Sequence, residues 1–330
     1  MNFRSQNCSK PISFDSSNQF VFRASSAEPF EPEYRLVMEI TSNTATNWRD
    51  FYEMCKPRVV MLMILTSLVG MFLAVPGMVP VDALIFGNIG IALVAASGAV
   101  VNHLIDRKID VVMKRTHNRP LAQGRVDAKQ TIVFAIIIGV AGMAILLLRV
   151  NPLCAWLTLA SFVGYAFIYT GYLKHATPQN IVIGGLSGAM PPLLGWTAVT
   201  GTVEPNALLL VLIIFAWTPA HFWALAIHRK KEYAKSGVPM LPVTHGEFVT
   251  KVHIIAYAAI LLLVSVFPYS TGMSGVLYLG SALALGFGFL GWSYKLMFKP
   301  SPTTAMDTFK YSNVYLGLLF IALLIDHYLV

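Results

Sequence analysis

The sequence predicts an all-α, polytopic membrane protein, with nine transmembrane helices around a central cavity that opens to the cytoplasmic side. Three observations predict this fold. Of the 330 residues, 56% are hydrophobic and only 12% are charged, whereas a typical soluble domain carries about 25% charged residues. Nine apolar stretches approach the roughly 20 residues that cross a bilayer as one helix. The basic residues fall almost entirely on one side of these stretches.

The apolar stretches follow one another along most of the chain. Several contain Gly or Pro, which membrane helices tolerate. We expect Met190-Pro191-Pro192 and Trp217-Thr218-Pro219 to kink their helices and to open space for a cavity. The predicted spans are 59–76, 81–101, 130–149, 152–170, 180–199, 206–228, 252–268, 274–293 and 311–329.

The placement of the basic residues predicts the orientation. With the N-terminus inside, 19 of the 24 Lys and Arg residues lie near the spans on the inner side, and only Arg149 lies outside. Such an excess of positive charge marks cytoplasmic loops. The net charge of +8 therefore reflects topology, and no nucleic-acid partner is predicted.

The first 45 residues differ in composition from the rest. They mix Ser, Asn, Glu and Pro, and they lack the apolar core and small-residue cleavage site of a signal peptide. We interpret 1–45 as a flexible cytoplasmic tail and 46–330 as a nine-helix membrane domain. The three cysteines, Cys8, Cys55 and Cys154, form no CxxC or CxxCH pattern, which argues against a disulfide framework and covalently attached haem.

Polar chemistry is concentrated in two inner loops, 102–129 and 229–250. Most spans are almost free of charged or histidine side chains, and His221 is the only such side chain placed well inside one. A transporter, which is the main alternative to an enzyme, usually carries ionisable residues at membrane depth and an internal repeat. A scaffold protein would not need the polar pattern of the first loop.

That pattern is Asn102, Asp106 and Asp110, three polar residues spaced by four. If the second span continues as a helix, all three face one side and are separated by about 6 Å per step. Magnesium prefers one or two carboxylates together with substrate phosphates, and Arg115 and Arg119 follow in positions to grip phosphate oxygens. Salt bridges between these acids and arginines are the simpler alternative.

The second loop and the helix before it contain His221, His228, Arg229 and Glu232. The two histidines are seven residues apart and share a helix face, and Glu232 follows His228 by four. A hydrogen-bonded core histidine, a membrane-anchoring basic cluster and a local ion pair are the structural alternatives for these residues.

At both loops the sequence resembles the intramembrane UbiA-type prenyltransferase superfamily and, within it, the haem O synthase family. The resemblance covers about residues 50–328. It departs from related prenyltransferases in the second loop, where Glu232 stands in place of a second DxxxD pair. The matching residues are Lys56-Pro57-Arg58, Asn102, Asp106, Asp110, Met113, Arg115, Thr116, Arg119-Pro120-Leu121, Thr177, Asn180 to Gly185, Gly188 to Trp196, His221 to Ile227 and Pro239 to Val243.

The resemblance implies a reaction in which the farnesyl group of farnesyl diphosphate is transferred to a vinyl group of haem B. Water adds in the same reaction, and the products are haem O and diphosphate. It implies Mg²⁺ as the cofactor, held by Asn102, Asp106, Asp110 and Glu232. The catalytic set adds Arg115 and Arg119. The implied substrate-binding residues are Lys56, Arg58, Lys114, Tyr169, Lys174, Asn180, His221, His228 and Arg229.

Tyr165, Tyr169, Trp196, Phe222 and Trp223 are candidates for cation–π contacts with a farnesyl cation. The implied location is the bacterial inner membrane, with both active loops in the cytoplasm. Haem A synthase or a terminal oxidase assembly is the implied protein partner. The same chemistry on another acceptor, such as 4-hydroxybenzoate or a chlorin, remains open.

Overall fold

The computed structural model describes residues 47–329, and every regular element in that range is a helix. The predicted tail, 1–45, lies outside the described residues. In chain order the helices are α1 (Trp48–Met54), α2 (Pro57–Leu73), α3 (Ala83–Val112), α4 (Ala128–Arg149), α5 (Pro152–Ala176), α6 (Asn180–Ala189), α7 (Pro191–Thr200), α8 (Pro205–His228), α9 (Lys230–Lys235), α10 (Leu241–Thr244), α11 (Gly246–Val264), α12 (Phe267–Ser270), α13 (Val276–Phe298) and α14 (Thr304–Leu329).

The nine predicted spans correspond to these helices. In the part of the chain that the structure describes, eight segments are long and apolar enough to cross a membrane. The bent pair of α1 and α2, which meet at an angle of 50°, brings the number to nine if the pair is counted as one span. Helices α6 and α7 together form one span, as do α11 and α12. The prediction of an all-α, polytopic membrane protein is confirmed.

Polar contacts between helix ends agree with the predicted alternation of the loops between the two ends of the helix bundle. At one end of the bundle, Lys56 before α2 reaches Asn102 in α3, and Lys174 in α5 reaches Asp106. At the other end, Arg149 closes α4 and pairs with Asp82, just before α3, at 3.6 Å. Basic residues from several loops therefore gather at one end, as the charge pattern predicts.

Helices α2 and α7 cross in very close contact because each has a glycine at the crossing. A Cβ on Gly70 would lie 2.1 Å from the Pro192 carbonyl oxygen, and one on Gly195 would lie 2.0 Å from the Ser67 carbonyl oxygen. Small residues allow membrane helices to approach in this way. The crossing holds Leu194 of α7 in the middle of the bundle, where it is buried.

The helix is interrupted at one of the two positions where kinks are expected and continuous at the other. The chain breaks between α6 and α7 at Met190, directly before Pro191. Helix α8, however, continues through Pro219 without interruption. The Thr218 hydroxyl donates to the Ile214 carbonyl oxygen at 2.7 Å, whereas the carbonyl that Pro219 leaves without its helical donor is that of Phe215.

Candidate active site

Helix α3 carries the polar stripe because it extends eleven residues past the predicted end of its span, to Val112. Asn102, Asp106 and Asp110 are all buried, each no more than 5% exposed. The Asn102 Nδ2 atom donates to Asp106 Oδ2 at 2.7 Å, as residues four apart on one helix face can do. The structure therefore places the three side chains on one inward-facing stripe.

Three cations neutralise this stripe. Lys56 Nζ donates to Asn102 Oδ1. Lys174 Nζ lies 2.7 Å from Asp106 Oδ2, and Arg119 lies 2.7 Å from Asp110 Oδ2. Three positive charges thus face two carboxylates in a nearly water-free site. The surplus of positive charge suits an anionic group with several oxygens, such as a diphosphate.

Lys56 reaches the stripe from an unusual backbone conformation. Its φ of 50° and ψ of 58° are left-handed, and it is the only non-glycine residue among 47–329 with a positive φ. Pro57, the next residue, starts α2 and disfavours a right-handed helical conformation at the position before it. Left-handed backbone at a non-glycine residue is costly and tends to occur at functional sites, and here it directs Lys56 at Asn102.

A π-helical segment of α5, Gly164–Leu173, supplies the other side of the site. The wider turn leaves the Tyr165 carbonyl to accept the Thr170 hydroxyl at 2.9 Å. The same hydroxyl oxygen accepts from Asn102 Nδ2 at 3.2 Å. Lys174, one turn later, reaches Asp106. The π-helix therefore brings Thr170 and Lys174 to the α3 stripe together, which is a common use of such segments.

One oxygen of the polar stripe, Asp106 Oδ1, is suited to binding a divalent cation. Both hydrogen-bonded contacts of Asp106 use Oδ2, while Oδ1 is buried and accepts no hydrogen bond from residues 47–329. A buried carboxylate oxygen without a partner is rare and calls for a ligand. No three His, Cys, Asp or Glu side chains of the described residues cluster as a metal site. A cation bound here would thus need substrate oxygens as well, as Mg²⁺ commonly does.

The second polar loop packs against the end of α3. Met113, which follows α3, shares one apolar cluster with Tyr233 of α9 and Met240. Tyr233 is buried, and this burial raises the pKa of its hydroxyl while the nearby Arg115 and Arg229 lower it. The two loops are therefore adjacent in the structure, as their predicted shared function requires.

Glu232 lies in this second loop but contacts neither aspartate. Its Oε2 atom lies 3.8 Å from Arg229 and has no hydrogen-bond partner among the described residues, although it is buried. The local ion pair expected as the structural alternative is present. Like Asp106 Oδ1, this oxygen accepts no hydrogen bond from the described residues, but it already faces the Arg229 guanidinium.

An apolar chamber of about 250 Å³ opens beside Lys56 and Tyr165. Helices α2, α3 and α5 supply most of its lining, and α6 and α7 supply the rest. Its walls are Lys56, Val59, Val60, Leu62 and Met63 of α2, Ile91, Val94, Ala95, Gly98 and Ala99 of α3, Thr158, Ser161, Phe162 and Tyr165 of α5, and Ser187, Gly188 and Leu194. Its size and apolar lining suit a hydrocarbon chain.

Of the five aromatic candidates, Tyr165 lines this chamber, and it stacks on Tyr169 with ring centroids 5.9 Å apart. Trp196 and Trp223 belong to the main core instead. Trp223 packs edge-on against His253 and other aromatic rings. Phe222 packs beside the cluster of the second loop.

His221 adopts the packed arrangement expected for a core histidine. Its Nδ1 lies 2.7 Å from the Ser312 hydroxyl of α14, and its ring stacks on Trp217 with centroids 4.0 Å apart. His228 is exposed at the end of α8. The two histidines thus have different surroundings despite their shared helix face.

The remaining predicted residues lie at the same end of the bundle. Arg58, Lys114 and Arg115 are exposed there. Asn180, at the start of α6, is fully buried and donates to the Thr177 carbonyl oxygen at 2.8 Å. Its own Oδ1 has no hydrogen-bond partner among residues 47–329.

Two polar residues of the site were not identified from the sequence. Thr170 was missed because an α-helical register gives no reason to pair it with Tyr165 and Asn102. His103, next to Asn102, is 2% exposed, and neither ring nitrogen has a hydrogen-bond partner in the described range. Its position beside the stripe was the only available signal.

A polytopic helical fold with a buried cationic and acidic site above an apolar chamber defines an intramembrane enzyme that handles a lipid with an anionic head. The UbiA prenyltransferase family matches residues 63–323, and the chain belongs to that family. Similar proteins include protoheme IX farnesyltransferase of Saccharophagus degradans, which is 62% identical over 290 residues covering 88% of this chain and 96% of that protein. Protoheme IX farnesyltransferase 1 of Pseudomonas fluorescens Pf-5 is 64% identical over 282 residues, covering 86% and 94%.

Solved structures share the fold at low sequence identity. A structure of digeranylgeranylglyceryl phosphate synthase superposes with a TM-score of 0.74 at 17% identity, covering 86% of this chain and 99% of that one. A UbiA homologue from Archaeoglobus fulgidus, bound to GPP and Mg²⁺, gives a TM-score of 0.57 at 14% identity, covering 83% and 99%. The fold prediction is therefore confirmed independently of the sequence motifs.

Proposed function

We propose that this protein transfers the farnesyl group of farnesyl diphosphate to a vinyl group of haem B, with addition of water, and so forms haem O and diphosphate. The observation that carries the proposal is the buried site of Lys56, Asp106 and Lys174 at the mouth of an apolar chamber. The relatives named protoheme IX farnesyltransferase, at 60–64% identity, support the choice of haem B as the acceptor.

The polar site would hold the diphosphate. Lys56, Arg119 and Lys174 offer cationic donors whose present partners are the polar stripe of α3. The allylic C–O bond breaks with its electron pair passing to the diphosphate. Fixed positive groups near that oxygen stabilise the charge that develops there, which is commonly a large part of catalysis.

We propose Mg²⁺ as the cofactor, held by Asp106 and Asp110 with Asn102, and by Glu232 from the second loop. Asp106 and Glu232 each have a buried oxygen that accepts no hydrogen bond from the described residues, which supports this ligand set. When bound, the ion supplies Lewis-acid stabilisation of the diphosphate leaving group. Lys56 and Lys174 would then turn from the stripe towards the diphosphate oxygens.

The chamber would hold the farnesyl chain and keep water away from its reactive carbon. Tyr165 presents a ring at the mouth of the chamber, where an aromatic face stabilises a nearby cation. The vinyl group of haem B attacks the allylic carbon and forms the new C–C bond. Water adds to the resulting cation and loses a proton, which completes the balance of the reaction.

We further propose that the protein lies in the bacterial inner membrane with both active loops in the cytoplasm. The excess of basic residues at the active-site end supports this orientation. Haem O is too apolar to leave the bilayer readily, so haem A synthase or a terminal oxidase assembly in the same membrane would receive it.

The proposal is tested by incubating the purified protein with Mg²⁺, farnesyl diphosphate and a panel of acceptors. The panel contains haem B, 4-hydroxybenzoate and a chlorin, and mass spectrometry identifies the acceptor that gains a C15 unit and one water. We expect haem B alone to be converted, and chelation of Mg²⁺ by EDTA to stop the reaction. Conversion of another acceptor in preference to haem B would contradict the proposal.

A further inference from the structure

The end of the chamber away from the polar site, here called its floor, is lined by Ile91 of α3 and Leu194 of α7. Both side chains line the chamber, and both are at most 3% exposed. Both residues also belong to a cluster of buried side chains that includes Met71 and Cys154, each with 0% exposure. A chain that enters beside Lys56 and runs downward therefore meets tightly packed side chains at this depth.

The helix register gives the depth of this floor. On α3 the lining residues Ala99, Gly98, Ala95, Val94 and Ile91 precede Asn102 by three, four, seven, eight and eleven positions. This spacing keeps them on the face that carries Asn102. At a rise of 1.5 Å per residue, Ile91 lies about 16 Å below Asn102.

This depth matches one length of prenyl chain. An extended chain advances about 3.5 Å for every three single bonds, as the peptide backbone shows. On that scale, the twelve main-chain carbons of a farnesyl group span about 13 Å and the sixteen of a geranylgeranyl group about 18 Å. The Ile91 side chain itself fills part of the 16 Å, so the shorter chain fits and the longer one does not.

We infer that Ile91 and Leu194 set the chain length of the prenyl diphosphate that this protein accepts. The inference rests on the proposed function, because it assumes that the diphosphate binds at Asp106 with its chain in the chamber. The alternative path leads sideways past Val59 and Leu62, which line the upper chamber and are about half exposed. A chain on that path would pass into lipid and would not reach the floor.

The test is a competition among geranyl, farnesyl and geranylgeranyl diphosphates at equal concentrations, with haem B and Mg²⁺. Mass spectrometry gives the ratio of C10, C15 and C20 products. We expect Ile91→Ala and Leu194→Ala to raise the C20 to C15 ratio by at least about tenfold. One methylene group in an apolar pocket already discriminates by about 10–200-fold.

A second substitution fills the chamber instead of enlarging it. A Cβ at Gly188 would have no atom within 4 Å, and Gly188 lines the chamber, so Gly188→Val adds bulk without displacing a neighbour. We expect it to shift the product ratio from C15 towards C10. The control is Ile89→Ala, which makes the same change as Ile91→Ala on an exposed face of α3 and should leave the ratio unchanged.

Equilibrium binding of the three diphosphates with Mg²⁺, without haem, separates this inference from the proposed function. If the wild-type protein prenylates no haem, the proposed function fails, but the binding preference still tests the floor. If Gly188→Val and Ile91→Ala both keep the wild-type preference in folded protein, the chain does not reach Ile91 and the inference is wrong. If Ile91→Ala does not fold, Gly188→Val alone decides between these outcomes.

Discussion

Asp106 has two roles in the site, and replacing it by Asn affects both. The carboxylate neutralises Lys174 through Oδ2, and its other oxygen is the proposed cation ligand. Asparagine keeps the shape but removes the charge. Its amide group would also place a second donor opposite either Lys174 or the Asn102 amide.

The burial of the pair gives the expected magnitude. The side chains of Asp106 and Lys174 are 4% and 14% exposed, and their charged atoms lie 2.7 Å apart. Removing one partner of a buried ion pair destabilises a protein by about 3–5 kcal/mol, because the other charge stays buried and unpaired. Loss of one contact to the developing charge lowers the rate by about 10²–10³-fold. We therefore expect Asp106→Asn to lower both the thermal midpoint and the turnover.

A second substitution in the same protein tells the two roles apart. Lys174→Met replaces the buried cation by an apolar side chain of similar length. The double variant Asp106→Asn with Lys174→Met has no unpaired charge, so we expect it to recover most of the lost stability. It should remain inactive, because the proposed cation ligand is still missing.

The assay measures thermal unfolding and haem O formation for the wild type, both single variants and the double variant. Asp82→Asn is the matched control, since it removes an aspartate from the exposed pair with Arg149 at the far end of the bundle. The control should match the wild type in both measurements. Turnover near the wild-type level in the double variant would refute the reasoning, because Asp106 would then serve only to neutralise Lys174.

Three further expectations test the remaining parts of the site. Thr170→Val should weaken Mg²⁺-dependent binding of farnesyl diphosphate, because Asn102 loses the hydroxyl that orients its amide. Thr170→Ser keeps a hydroxyl and should bind as the wild type does. Equal binding by both variants would argue against this role. Glu232→Gln should lower turnover by about 10²-fold with an unchanged thermal midpoint, and full activity would restrict the cation site to α3. Single cysteines can replace Lys114 and Lys235 in a protein without the native cysteines. They should react with impermeant thiol reagents in inside-out vesicles only. Labelling in intact spheroplasts would overturn the proposed orientation.

The spans and the polar stripe were predictable because both follow from periodicity along one segment. An apolar run of about 20 residues has no stable alternative to a helix in a bilayer. Once α3 is helical, the spacing of Asn102, Asp106 and Asp110 places them on one face whatever surrounds them. The alternation of the loops between the two sides was predictable for the same reason, because the side predicted for each loop depends only on that loop's own basic residues.

The partners of the stripe were not predictable in this way. Lys174 is 68 positions from Asp106 and Lys56 is 46 from Asn102, and nothing in either segment specifies the other. The sequence showed that Lys56 and Lys174 are basic and lie at the inner end. Only the packing of α2 and α5 against α3 brings each to its particular oxygen atom.

The surroundings of His221 were also not predictable from its own segment. The resemblance made it a candidate substrate-binding residue, but its Nδ1 and its ring are in contact within the core with Ser312, Trp217 and Phe309. Two of these partners come from α14, some 90 residues later in the chain. Whether a buried histidine is free to act depends on such distant neighbours.

The sequence by itself determined the number of spans, their alternation and the face of α3 that carries the acids, because hydropathy and helical period are properties of single segments. The tertiary structure alone decided which cations meet those acids, where α5 widens into a π-helix to present Thr170, and which side chains, Ile91 among them, line the chamber. These features arise from side chains of different helices in contact, and such contacts are set by the packing of the whole bundle.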